Sequence, residues 1–207
     1  MVRQGSGHQV SKQMQVLQAS VRPTPRELVF TTLAALTAGF SGGALGLTGK
    51  QALISTAIAG VMMLIALVDY RCFTIPDWLS LPGIPVALII GADVPAEPQT
   101  LILLDHLAAA LASGVAFYLL RGAYRRLRGR EGLGLGDVKL MMLGGALVGT
   151  EFAPYIVVAA CAGAFVYLAA RLLAGSAERI RLDTAIPFGT FLAPSIWAVW
   201  LASSLIE

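Results

Sequence analysis

Continuously apolar, uncharged stretches recur along the chain with short polar breaks between them: Leu28 to Gly49, Gln51 to Val68, Trp78 to Ala92, Leu107 to Leu120, Leu140 to Thr150, Phe152 to Ala170 and Thr184 to Ile206. A helix crossing about 30 Å of hydrocarbon needs roughly 20 predominantly apolar residues. The pattern therefore predicts an all-α, polytopic membrane helix bundle with about seven transmembrane helices. Backbone groups in lipid must pair within their own segment, and the runs do not alternate as the strands of a membrane barrel do. The third and fifth stretches are short, so their helices are expected to start inside the charged motifs before them, with Lys139 reaching the interface along its apolar stem. Extending the fourth back to Pro98 sets Asp105 and His106 near one membrane face. Pro82 and Pro85 shorten or kink the third.

Composition sharpens this picture. With 57% hydrophobic and 13% charged residues and a mean hydropathy of +0.75, the chain is far from the average of soluble domains. Its 207 residues leave room for one transmembrane domain, residues 27–207, after a polar tail, residues 1–26. The tail lacks the apolar core of a signal peptide. Met14, Leu17 and Val21 form only a faint stripe, and Pro23 and Pro25 end it, so a flexible cytoplasmic tail is expected.

Charge then sets orientation. If the N-terminus is cytoplasmic, all of the 15 Lys and Arg except Lys50 fall on the cytoplasmic side, as the positive-inside rule requires. The loop from Gly91 to Thr100, with Asp93 and Glu97 and no base, is then external. The net charge of +3 and pI near 9.1 report topology, and no nucleic-acid partner is expected. The Arg-rich segment 121–130 reads as a loop that anchors this topology and secondarily meets anionic lipid. Trp197 and Trp200 suit an aromatic belt at the far interface. Gly145 and Gly149 form a GxxxG pair suited to close helix contact.

Candidate chemistry narrows by exclusion. The cysteines are Cys72 and Cys161 and the histidines His8 and His106, so neither a disulfide framework nor a cysteine or HExxH metal site is expected. The glycines at 132, 134 and 136 are followed by Asp, not by the Gly-Lys-Ser/Thr of a phosphate loop. No metal or cofactor is expected, and acidic residues remain. Asp69 closes the second span in ALVDYRCFTIPDWLSLP, and Asp137 opens the fifth in GLGLGDVKLMML. Singly, Asp137 reads as a helix N-cap and Asp69 as an interfacial charge beside Arg71. Together they are two carboxylates at one cytoplasmic boundary, where ionisable groups are costly and usually functional. Two such groups close together share a proton, one activating water and the other donating to a carbonyl. Which of them carries it stays open, because the titration belongs to the pair.

Asp69, five residues, Ile75-Pro76-Asp77, then Gly134-Leu135-Gly136-Asp137-Val138-Lys139 resembles the type IV prepilin peptidases and archaeal preflagellin peptidases, the GxGD aspartyl membrane proteases. Ile186-Pro187-Phe188-Gly189 followed by Phe191-Leu192-Ala193-Pro194 is similar to that family's last-helix motif. The resemblance implies an aspartic endopeptidase that removes a short basic leader from prepilin or pseudopilin precursors at the cytoplasmic face of the bacterial inner membrane. Asp69 and Asp137 are then the catalytic pair, with Gly134, Gly136, Lys139, Ile75, Pro76 and Asp77 as substrate-binding or supporting residues. Gly134 and Gly136 allow tight or left-handed backbone and close approach of a substrate chain. Lys139 either tunes the pair or meets lipid phosphate. Asp77 reads as the cap of the third helix and as a reserve member of the pair. Precursor peptides and membrane lipids are the expected partners, and the oligomeric state stays open.

One departure from the family's bifunctional members stands out. They carry a cytoplasmic segment with paired cysteines, linked to N-methylation, after their first helix. Here Thr48 to Gln51 joins the first two predicted helices directly, so cleavage without methylation is expected. Two other readings use different residues. Gly39-Phe40-Ser41-Gly42 fits the GxSG pattern of rhomboid serine proteases, with His106 at the same outer face, although Ser41 packing within its helix is the plainer account. A non-enzymatic transporter or assembly subunit would use the aspartates as proton carriers, but transporter sites lie nearer the midplane.

Overall fold

The computed structural model describes residues 46–93, 98–129, 132–173 and 187–206. Every element among them is an α-helix: α1 Gly49–Cys72, α2 Asp77–Gly91, α3 Gln99–Arg128, α4 Leu135–Leu173 and α5 Gly189–Ile206. Four of these, α1, α3, α4 and α5, are long and apolar enough to cross a membrane, and α2 is a shorter apolar helix. The chain is an all-α, multi-pass membrane protein. The tail 1–26, nearly all of the predicted first span and Ser41 lie outside the described residues, so the expected seven spans are not reached among them.

Local chemistry explains the helix ends. Thr48 caps α1 in a reciprocal box with Gln51, satisfying two amides that the first turn leaves over. Phe73 closes α1 in the left-handed region, at φ 50°, with its N–H on the Asp69 carbonyl at 2.8 Å. A non-glycine residue there costs roughly 1–2 kcal/mol, and the turn feeds the short linker 73–76 that leads into α2. α3 begins directly after Pro98, as expected, but it continues through the Arg-rich segment to Arg128 and ends at Gly129, φ 68°. Residues 121–128 are therefore helix, not loop. Arginine is a good helix former, and cations are favoured near a helix C-terminus.

At about 1.5 Å per residue, α4 would measure about 58 Å if straight, nearly twice the hydrocarbon thickness. It is broken at Gly149, with φ 75° and ψ −179°, a region open essentially to glycine alone. The two limbs, 135–148 and 150–173, run in opposite senses. The carbonyl of Ala146 sits 2.9 Å from Nδ1 of His106 near one end of the bundle, while the ring of Tyr167 returns to Phe191 at the other, centroids 5.5 Å apart. Asp105 caps the restart from α3, accepting the Thr150 N–H at 3.0 Å on Oδ2 and the Thr150 hydroxyl on Oδ1. The predicted fifth and sixth spans are these limbs. Gly149 thus makes a reversal as well as a close contact, since a Cβ there would lie 2.6 Å from Oδ2 of Asp105 on α3. Gly145 makes a close contact too, since a Cβ there would lie 2.6 Å from the Ala109 carbonyl oxygen on α3.

α4 is central. α2, α3 and α5 pack on it, and α1 packs on α5. Ile65, Leu140, Ile156, Leu192 and Ile196 are fully buried, while Leu53, Ile89 and Phe165 are more than 70% exposed, the outward-facing apolar surface of a protein whose solvent is lipid. The tryptophans depart from the interfacial belt expected of them. Trp200 is buried, and Trp197 turns inward to donate its indole N–H to Oγ of the fully buried Ser55 at 3.1 Å. A buried indole needs such a partner.

Candidate active site

Asp69 lies in the last turn of α1 and Asp137 in the first turn of α4, 5% and 8% exposed. Both line one pocket of about 320 Å³, with Ile75, Gly134, Gly136 and Lys139 among its other walls. Residues 68 positions apart in sequence are thus brought together where α1 ends and α2, α4 and α5 begin.

Each carboxylate has one oxygen tied to the start of a helix. Oδ2 of Asp137 accepts the Gly134 N–H at 3.1 Å, an acid in the first turn reaching back to an amide just before its own helix. The simple N-cap expectation is thus modified: Asp137 is the third residue of α4, bonding backwards. Oδ1 of Asp137 is buried and has no hydrogen-bond partner among the described residues. Oδ2 of Asp69 accepts the Thr190 N–H at 2.8 Å and its hydroxyl at 3.3 Å, from the first turn of α5. Buried polar atoms are nearly always bonded, and an exception calls for a reason. A pocket that holds two carboxylates, one with an oxygen that no donor among the described residues reaches, can share a proton between them and bind a water or a carbonyl there.

Close packing, not a left-handed backbone, accounts for the glycines of the motif. Neither Gly134 nor Gly136 has positive φ, contrary to one part of the expectation. At Gly136 a Cβ would stand 2.8 Å from Cβ of Ile75, and at Gly134 it would stand 3.3 Å from Oδ2 of Asp137. Ile75 is buried and seats the 73–76 linker against the motif. Pro76 takes the cap position of α2 without any side-chain bond. Asp77, expected to be that cap, instead meets Lys139 at 2.6 Å. Lys139 therefore faces the Asp77 carboxylate at the rim. A helix whose cap position is a proline leaves the next carboxylate free to pair across the site. His106 lies near the opposite end, against Ala146 and Gly149.

The sequence reading missed Thr190 as a partner of Asp69. It lies inside the last-helix motif, whose spacing carries no mark of a bond spanning 121 positions.

Residues 56–169, which include both aspartates and the Gly134 to Lys139 motif, match the type IV leader peptidase family. The chain belongs to this family. Among its relatives, the prepilin leader peptidase/N-methyltransferase of Burkholderia pseudomallei strain 1026b is 32% identical over 160 residues, covering 74% of this chain and 48% of that protein. The protein of the same description from Pseudomonas putida is 30% identical over 156 residues, covering 71% and 49%. That of Dickeya chrysanthemi is 31% identical over 137 residues, covering 66% and 46%. As a leader peptidase family member, the chain spans about half the length of these relatives. No solved structure matches it.

Proposed function

We propose that the chain is an aspartic endopeptidase that removes the leader from type IV prepilin-like precursors, with Asp69 and Asp137 as the reacting pair. The observation that carries this reading is the shared pocket: two buried carboxylates from different helices, with Oδ1 of Asp137 lacking a partner among the described residues. Membership of the leader peptidase family supports the precursor as substrate, as do relatives named for that activity.

In this mechanism a water between the carboxylates loses a proton to one of them as it attacks the scissile carbonyl. The other donates to the carbonyl oxygen, and the pair returns its proton to the leaving amine. Gly134, Gly136 and Ile75 set the width of the site, and Lys139 and Asp77 form its rim. The basic residues near this end, Arg71, Arg121, Arg125, Arg126 and Arg128, support a cytoplasmic orientation, and hence the bacterial inner membrane. Asparagine keeps the shape of aspartate but cannot exchange the proton. Purified Asp69→Asn and Asp137→Asn proteins should therefore insert normally and fail to shorten a precursor, and wild-type cleavage by either would remove the assignment.

A further inference from the structure

Two independent observations meet at the first turn of α5. The first is bonding. The N–H and the hydroxyl of Thr190 converge on the same oxygen of Asp69, at 2.8 and 3.3 Å, and the hydroxyl also lies 3.3 Å from the Ala66 carbonyl oxygen one turn earlier in α1. The second is space. A Cβ on Gly189 would lie 2.8 Å from Oδ2 and 2.9 Å from Cγ of Asp69, and 2.9 Å from Cδ1 of Ile75. The carboxylate therefore rests against a bare α-carbon, with one oxygen in the mouth of the helix.

This contact does something burial alone would not. The terminal torsion of an aspartate is broad and nearly two-fold, so a carboxylate without directed donors swings about its Cβ–Cγ bond. Helix-start amides point along the axis and are left over by the helix itself, which makes them fixed donors. The threonine hydroxyl, with one proton, has two acceptors in reach on α1, this oxygen and the Ala66 carbonyl, and so holds the start of α5 against the last turns of α1. α1 packs chiefly on α5, whereas Asp137 rides on α4, which packs on α5 as well. The register between the two aspartates is thus transmitted through the last helix.

We infer that Gly189 and Thr190 form the positioning element of Asp69: the last helix, which contributes no reacting group, sets the orientation of one carboxylate relative to the other. This rests on the reading of Asp69 as a reacting group. Gly189 supplies the clearance and Thr190 the donors. A displaced carboxylate lowers turnover without weakening peptide binding, so the effect falls on kcat and leaves KM alone.

The test uses the full chain, purified in detergent, with a prepilin-like precursor as substrate and the thermal transition followed in parallel. Gly189→Ala should lower kcat by about tenfold or more with KM little changed. Combining it with Ile75→Val removes the contact to Cδ1 but leaves the clash with the carboxylate, so turnover should stay low. Thr190→Val, which loses only the hydroxyl, should lower kcat by a smaller factor, and Thr190→Ser should restore it. Full turnover in Gly189→Ala, or recovery in the Ile75→Val double variant, would overturn the inference by showing a packing role alone. If Gly189→Ala does not fold, the Thr190 pair decides: equal kcat for valine and serine overturns it. Asp69→Asn separates the two levels. An active Asp69→Asn protein removes the functional reading itself, while an inactive one beside a fully active Gly189→Ala removes only the positioning role.

Discussion

Lys139 of α4 and Asp77 of α2 form an ion pair with 2.6 Å between ammonium and carboxylate, so the third acid at the pocket is matched by a base, whereas the two buried acids bond to helix-start groups of Gly134 and Thr190. Asp77 is 61% exposed at its side chain, and an exposed pair of this kind contributes only about 0–1 kcal/mol. The contrast separates rim from centre. Asp69→Asn and Asp137→Asn should each lower precursor cleavage by about 10²–10⁴-fold or more, while Asp77→Asn should stay within about fivefold of wild type. Rates from purified protein decide it, and an Asp77→Asn protein as inactive as the other two would put Asp77 in the reacting set.

The reversal in α4 should be a stability element. Gly149 has φ 75° and ψ −179°, and a Cβ there would lie 2.6 Å from the Asp105 carboxylate that caps the restart. Gly149→Ala should cost about 1–3 kcal/mol from backbone conformation, and Asp105→Ala about 0.5–2 kcal/mol from the lost cap. Because the two share a contact, the double variant should lose less than the two single losses together. Thermal unfolding in detergent measures all three, and unchanged transitions in both single variants would deny the reversal this role.

Sidedness follows from the basic residues around the site. In a chain with Cys72 and Cys161 replaced by serine, a cysteine at Arg128 should react with an impermeant reagent from the cytoplasm, and one at Gln99 from outside. These positions end and begin the same helix, α3. Reversed labelling would turn the pocket away from the cytoplasm.

Sequence and structure agree best where chemistry is local. The spans among the described residues, the place of Asp69 at the end of α1 and the start of α4 inside its charged motif are all written in residue type and spacing. What could not be read is long-range or conformational. The bond from Thr190 to Asp69 needs two helices in register, and the inward turn of Trp197 depends on a buried Ser55 from another helix. Gly145 and Gly149 look identical in a GxxxG pattern and both meet α3 closely, yet only Gly149 also reverses the chain, because only its φ is positive. The helical state of 121–128 was obscured for a different reason: arginines mark a membrane edge and also favour helix, and topology was given the greater weight.

Cleavage by this chain should leave a free amine. Methyl transfer needs a folded site to hold its cofactor and orient the new N-terminus, and the linkers at 73–76 and 129–134 that border the pocket are short. With purified chain, precursor and S-adenosylmethionine, mass spectrometry should find the product unmethylated. A product heavier by one methyl group, with no other enzyme present, would reveal a cofactor site elsewhere in the chain.

The break at Gly149 also makes the protein uneven in thickness. The limb 135–148 spans only about 21 Å and the 15-residue α2 beside it about 22 Å, against hydrocarbon of about 30 Å. α1, with 24 residues, reaches about 36 Å. The limb is largely buried, so it is lipid next to the outward-facing α2 that must thin or give way to a notch of water, and both short elements start at the two-carboxylate pocket. On the proposed function, that thin side would give the peptide bond and its attacking water a common lateral approach. It also couples the enzyme to its solvent: lipids of longer acyl chain, which resist thinning, should slow cleavage in reconstituted vesicles relative to shorter ones.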